Sequence, residues 1–269
     1  MFKDITIGQY VEGDSFLHKM DARMKIILTL LYIILLFAVS SFGAYVVFTL
    51  FTLFLIILSG LPVRYILKGL KPMLYILIFT ALLNLFMTPG ETILYTVPYV
   101  KWDITKEGLS TAGLMLLRLV YLVVATSILT LTTSPLMLTD GIEKLLKPFE
   151  IVKLPAHEIA MMMTIAIRFI PTLSEETEKI MKAQMARGAD FESGNILKRA
   201  KAMIPLLVPL FVSAFRRADD LAVAMDSRCY HGGKKRTRMK QMKITSRDFT
   251  ALGFMLVLAG VTFVIQFAF

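Results

Sequence analysis

The chain has 269 residues, 56% of them hydrophobic, a formal net charge of +10 and one cysteine, with a mean hydropathy of +0.67. Its apolar residues gather into runs long enough to cross a bilayer, which excludes an ordinary soluble protein and makes the basic excess a topology signal before it is a nucleic-acid one. The lone Cys229 excludes an intrachain disulfide and a cysteine-built metal site.

The start, Met1-Phe2-Lys3-Asp4, lacks the basic, apolar and small-residue pattern of a cleaved signal peptide, so the first apolar run is expected to stay as an anchor. A polar lead follows, in which His18 has no partner histidine and reads as a hydrogen-bonded structural residue. Asp21 is placed to cap the first helix. Five spans are expected, at residues 24–39, 44–58, 72–87, 109–131 and 249–267. Between the second and third lies a short basic loop with Arg64, Lys68 and Lys71. Between the third and fourth, Thr88-Pro89-Gly90 opens a long aromatic loop that reaches Gly108 and places Trp102 at the interface.

Residues 134–247 form a basic region holding 20 of the 30 lysines and arginines. The positive-inside rule puts it, the N-terminus and the Arg64 loop in the cytoplasm, and five spans then put the C-terminus outside. Its two further apolar runs, 157–170 and 202–215, are shorter than the roughly 20 residues of a spanning helix and are read as non-spanning. The region is thus expected to hold three cytoplasmic helices, about 138–152, from Pro155 to Arg187 and 196–228. Pro171 invites a kink or a restart, with Thr172 and Glu175 at capping-box spacing. Pro205 and Pro209 would bend the third helix. His231-Gly232-Gly233 then reads as a hinge, and 234–243 as a basic anchor near anionic headgroups. The fold class is all-α, a polytopic membrane protein of about five transmembrane helices with a cytoplasmic three-helix coupling module. The divisions are 1–133, 134–247 and 248–269.

Two stretches stand out. Met185-Ala186-Arg187-Gly188 and Asp226-Ser227-Arg228-Cys229 each set one arginine among small residues near a helix end. A planar cation with five donors, standing clear of its own backbone, is suited to grip carboxylates or carbonyls in a groove. Gly188 reads as the glycine just past a helix end. Cations are favoured at helix ends in any case; the pairing points further, to a partner with two similar grooves, most simply a dimer.

Enzymatic signatures are lacking. No Gly-x-x-x-x-Gly-Lys-Ser/Thr loop and no Gly-x-Ser-x-Gly elbow occurs. His157-Glu158 begins a zinc-protease pattern, but position 161 is methionine. Arg118 and Asn84 are the polar residues at membrane depth. Arg118 reads first as a residue paired within the bundle or reaching toward an interface. A secondary transporter built on this pair would need internal repeats or facing broken spans. An intramembrane enzyme would need a clustered acid, base or metal set within the spans.

Several segments together resemble the transmembrane T component of energy-coupling factor (ECF) transporters, a branch of the ABC superfamily. They are Thr132-Thr133-Ser134-Pro135, Asp140-Gly141-Ile142-Glu143-Lys144-Leu145-Leu146, Ala166-Ile167-Arg168-Phe169-Ile170-Pro171, Ala183 to Phe191, Ile204 to Phe211 and Ala224 to Tyr230, together with the Ser15 to Lys25 lead. The family usually has proline where this chain has Ala22, and often glycine where it has Cys229. The resemblance implies a non-catalytic subunit without cofactor or metal, in the cell membrane. It would join two ABC ATPases, expected as a heterodimer, to one substrate-binding S component at a time for vitamin or micronutrient uptake. By the same resemblance Arg187 and Arg228, with Ala186, Gly188, Ser227 and Cys229, would dock in the ATPase pair. The S component would meet an apolar surface of Met161, Met162, Ile165, Phe169, Leu206, Leu210 and Phe211. Nucleic acid is not expected as a partner; the lipid bilayer is.

Overall fold

A computed structural model describes residues 10–90, 92–97, 102–152, 155–191, 193, 195–230, 232 and 243–268. These fall into two compact units, one within Gly8–Gly141 and Met242–Phe269, the other within Ile142–Gln241. The described residues are overwhelmingly helical. Their order is α1 Ala22–Ala38, α2 Phe42–Ser59, α3 Val63–Leu70, a 3-10 turn Lys71–Met73, α4 Leu74–Met87, a hairpin of β1 Ile93–Val97 and β2 Trp102–Thr105, α5 Lys106–Thr132, α6 Pro135–Leu146, a 3-10 segment Lys147–Val152, α7 Ala156–Ala186, α8 Ile196–Ser227 and α9 Ser246–Ala268.

Among the described residues, four stretches are long and apolar enough to cross a membrane: Phe42–Ser59, Val63–Met87, Lys106–Thr132 and Ser246–Phe267. α1 has 17 residues, the lower end of what spans the hydrocarbon core. Hydrogen bonds set the relative directions within this unit. At one end, the Asp21 amide donates to Asp248 Oδ1 (3.0 Å), and Lys25 Nζ donates to the Thr132 carbonyl (2.9 Å). The beginnings of α1 and α9 therefore lie beside the end of α5. At the other end, Gln266 Nε2 donates to the Ala38 carbonyl (3.3 Å), joining the last turns of α9 and α1. α1 and α9 run one way and α5 the other.

The buried core of this unit is aromatic and aliphatic, with Tyr32, Leu36, Ala44, Tyr45 and Phe48 among its most enclosed residues. Its hydroxyls are satisfied locally, as a bilayer interior demands. Tyr32 Oη and Thr52 Oγ1 are 2.7 Å apart, and Thr52, Thr132 and Thr262 each donate to the carbonyl four residues back. The opposite faces carry exposed Leu30, Ile34, Leu50, Ile57, Phe79 and Val257, an apolar surface suited to lipid.

Several expectations change here. The Arg64 to Lys71 segment is helical: Ile66 is buried while Arg64 and Lys68 stay exposed, so its charges mark one face of a helix and not a loop. The segment 88–108 contains a hairpin, because alternating β-branched and aromatic residues pair Val97 with Trp102 and Thr96 with Asp103. α5 starts three residues before the expected 109, with Thr105 Oγ1 accepting from the Gly108 amide at 3.0 Å. The first helix of the basic region begins at Pro135, and its tail tightens into 3-10 geometry at Lys147. Asp21 caps α1 as expected, its Oδ1 accepting from the Arg23 amide at 3.0 Å. His18 bonds Ser15 Oγ (2.6 Å) and the Val11 carbonyl (2.9 Å). The hinge residues His231 and Gly233, and the basic run 234–242, lie outside the described residues.

Candidate functional site

α7 and α8, of 31 and 32 residues, dominate the second unit. Pro171 does not restart α7, and Pro205 and Pro209 lie inside α8. A proline lacks the N–H that would bond the carbonyl four residues earlier. Pro209 thus frees the Pro205 carbonyl, which accepts instead from Gln184 Nε2 of α7 at 3.5 Å.

Both helices end in the same way. At the end of α7 the Gly188 amide donates to the Met185 carbonyl and the Ala189 amide to the Gln184 carbonyl, each at 3.0 Å. At the end of α8 the Cys229 amide donates to the Asp226 carbonyl (2.9 Å) and the Tyr230 amide to the Met225 carbonyl (3.0 Å). These are two Schellman caps, each closed by a left-handed residue: Gly188 at φ +86° and Cys229 at φ +55°. Arg187 and Arg228 occupy the equivalent position in each, one residue before the left-handed turn, and both are exposed. Ala186, Gly188, Ser227 and Cys229 are exposed with them, so neither guanidinium is crowded by its neighbours.

α7 and α8 pack antiparallel. Arg217 Nη2 donates to Glu176 Oε2 at 2.9 Å, and the Ser213 hydroxyl donates to Glu176 Oε1. First that hydroxyl and then the Arg217 guanidinium hold the Glu176 carboxyl below its ordinary value. Gln184 lies near Pro205, while Ile165 and Phe169 share an open groove with Leu221, Met225 and Tyr230. The two arginines therefore sit at opposite ends of the pair, roughly 35 Å apart at about 1.5 Å of rise per residue.

The sequence profile of the CbiQ family, described as "Cobalt transport protein", matches residues 13–239. The chain is 57% identical over 265 residues to the energy-coupling factor transporter transmembrane protein EcfT of Clostridium kluyveri, covering 97% of each chain. It is 51% identical to that of Ruminiclostridium cellulolyticum over 269 residues, the whole of both chains. With the protein of the same name from Bacillus subtilis it shares 45% identity over 266 residues, 99% of this chain and all of the other. This chain belongs to the EcfT family.

In this EcfT-family chain the apolar residues singled out for a membrane partner divide in two. Met162 and Phe211 are 61% and 60% exposed, whereas Leu206 is 3% exposed. Met161, Ile165, Phe169 and Leu210 are half-buried, with Ile165 and Phe169 lining the groove between the helices. The open surface is instead the stripe Ile204, Leu207, Val208, Phe211, Val212 and Phe215 of α8, at the spacing of one helical face.

Within the membrane-type unit of this EcfT-family member, Arg118 Nε donates to Tyr45 Oη and its Nη2 to the Val39 carbonyl, both at 2.9 Å. Its guanidinium lies 5.4 Å from the Phe37 ring centre. Asn84 Nδ2 donates to the Thr80 carbonyl of its own helix at 2.8 Å. Both polar groups thus serve the bundle itself. Its largely apolar cavity, lined by Tyr32, Phe51, Phe54 and Ile128, holds about 80 Å³, below the roughly 300 Å³ at which small-molecule sites begin. Sequence reasoning passed over Glu176, Ser213 and Arg217. The signal was the acidic doublet Glu175-Glu176 in one helix and the basic doublet Arg216-Arg217 in the next.

Proposed function

We propose that this chain is the coupling subunit of an ECF-type importer, docking two ABC ATPases through Arg187 and Arg228 and handing their motion to a membrane-embedded S component. The observation that carries this reading is the repetition of one arginine-bearing cap at both ends of an antiparallel helix pair. A fork of five donors on each tip suits a groove lined by carboxylates or carbonyls. Two tips held apart on one stiff element suit two like subunits that approach and separate. ATP binding would draw the ATPases together and move the tips. The exposed apolar stripe on α8, with Met162 on α7, would transmit that movement to the S component, which carries a vitamin or a metal ion. In this reading, which follows the positive-inside rule, the tips, the N-terminus and the start of α9 would face the cytoplasm and the C-terminus the outside.

The experiment is affinity purification of the tagged chain from its native membrane, as wild type and as the Arg187→Ala/Arg228→Ala double variant. The wild type is expected to bring two ATPase subunits and one or more small hydrophobic membrane proteins. The double variant is expected to insert normally and to lose the ATPases. Full ATPase retention by the double variant counts against the docking role.

A further inference from the structure

The start of the candidate span Val63–Met87 is basic, with Arg64, Lys68 and Lys71 at helical spacings along one stripe of α3 and the turn after it. All three are exposed, and none makes an ion pair among the described residues. Like charges at these spacings repel, so the stripe favours an anion from outside the chain. α3 reaches α5 at Gly69, where an added Cβ would stand 2.8 Å from Ser127 Oγ. One turn earlier, Tyr65 closes a pocket of about 170 Å³ with Thr126, Ser127, Thr130 and Leu131 of α5. Thr126 and Thr130 donate their hydroxyl protons to carbonyls of their own helix. Tyr65 Oη and Ser127 Oγ have no hydrogen-bond partner among the described residues. Lys68 Nζ lies 5.6 Å from the centre of the Tyr65 ring, beside that wall of the pocket. Two free hydroxyl donors and an unpaired ammonium suit phosphate oxygens. The pocket is smaller than the roughly 300 Å³ of an enclosed small-molecule site, so it fits a head group and not a whole ligand. It lies near the end of α5, where Lys25 Nζ bonds the Thr132 carbonyl, and so is level with the beginning of α1 at one membrane surface. The same span presents exposed Leu67, Leu74 and Ile78, a surface for acyl chains.

We propose that this pocket binds the head group of an anionic phospholipid, with its phosphate on Tyr65, Ser127 and Lys68. Arg64 and Lys71 answer the remaining negative charge, and the acyl chains lie along α4 in the bilayer. Free phosphate offers the same oxygens, but the pocket stands at the surface of two spanning helices, where acyl chains add apolar contact that a free ion lacks. Val63–Met87 is also the least buried of the four candidate spans, at 6% against 22–28% for the others. A lipid shared by α3 and α5 therefore staples the span that the protein itself holds least. The site lies within the membrane-type unit and does not depend on the docking of ATPases.

The test uses the full chain in detergent, read by native mass spectrometry and thermal unfolding after addition of phosphatidylglycerol, phosphatidylcholine or inorganic phosphate. A single phosphatidylglycerol is expected to survive activation that strips other lipids, and to raise Tm where the other two additions do not. Lys68→Gln is expected to weaken its retention about fivefold, as for one lysine at an anionic surface. Tyr65→Phe/Ser127→Ala, which keeps the ring and the helix packing, is expected to weaken it about tenfold by removing hydrogen bonds to a charged group. Arg247→Gln removes an exposed cation at the same end of the unit and is expected to leave retention unchanged. Retention is read on folded protein, so a variant of lower stability still decides. Full retention in both pocket variants, an equal loss in Arg247→Gln, or equal retention of phosphatidylcholine overturns the proposal. An equal rise of Tm with inorganic phosphate overturns the lipid as occupant.

Discussion

Cys229 takes at the end of α8 the left-handed backbone that Gly188 takes at the end of α7, at φ +55° and +86° respectively. Glycine adopts this region without steric penalty, and a residue with a Cβ does so at a cost of about 1 kcal/mol. Cys229→Gly is therefore expected to stabilise the α8 cap by about 1 kcal/mol, seen as slower amide exchange at Cys229 and Tyr230. Gly188→Ala is expected to do the reverse at α7. A Cβ at Gly188 would meet nothing within 4 Å, so that loss measures the backbone alone. Equal exchange rates in wild type and Cys229→Gly would show that the strain is absorbed elsewhere.

Arg118 depends on Tyr45 for one of its hydrogen bonds. Tyr45→Phe leaves the ring packed but removes the oxygen that accepts from Arg118 Nε. A hydrogen bond to a charged group is worth about 1.5–3 kcal/mol in water-soluble proteins, and polar contacts between membrane helices measure about 0.6 kcal/mol on average. The expected loss is about 1 kcal/mol, read by denaturant unfolding in bicelles, with ATPase co-purification unchanged. A loss of ATPase binding with stability intact would give Arg118 a part in coupling.

Glu176 has its carboxyl held below the ordinary glutamate value, chiefly by the Ser213 hydroxyl and then by Arg217. A depressed folded-state value means that the stabilisation is complete above the ordinary value of 4.5 and is lost as pH falls through the lower one. The α7–α8 pair is expected to hold its register at neutral pH and to loosen in acid below that value. Glu176→Gln should remove this contribution at neutral pH and flatten the acid limb. Measuring the distance between spin labels at Ala183→Cys on α7 and Ala224→Cys on α8 from pH 7 to pH 3 checks it; a profile identical in the two proteins would exclude Glu176 as its source.

Much of this architecture is legible in the sequence because apolar run length and cap chemistry are local. Asp21 before an apolar run and the prolines and glycines between runs mark helix ends from composition alone. The arginine tips are legible for the same reason, each being a short string of small residues around one cation. Charge misled where it was read as loop: Arg64 and Lys68 sit on one face of α3, four residues apart, and neither breaks a helix. The hairpin of β1 and β2 was missed because its strands are short, and a five-residue run carries little period.

Asp248 shows the limit most plainly. In the sequence it is one acid near the start of a span. In the fold it is fully buried, and its carboxylate accepts from the Asp21 amide at 3.0 Å and the Thr245 amide at 2.7 Å, so that it joins the start of α9 to a residue 227 positions away at the start of α1. Leu206 likewise belongs to the exposed apolar stripe by composition and is buried by packing. The sequence by itself determined the membrane class, the helical spans and the two arginines, since each follows from neighbouring residues. Only the tertiary structure decided that α7 and α8 run antiparallel, that Glu176 meets Arg217, and that Cys229 repeats the turn of Gly188. Those facts depend on which distant faces come together and on a backbone angle that composition does not encode.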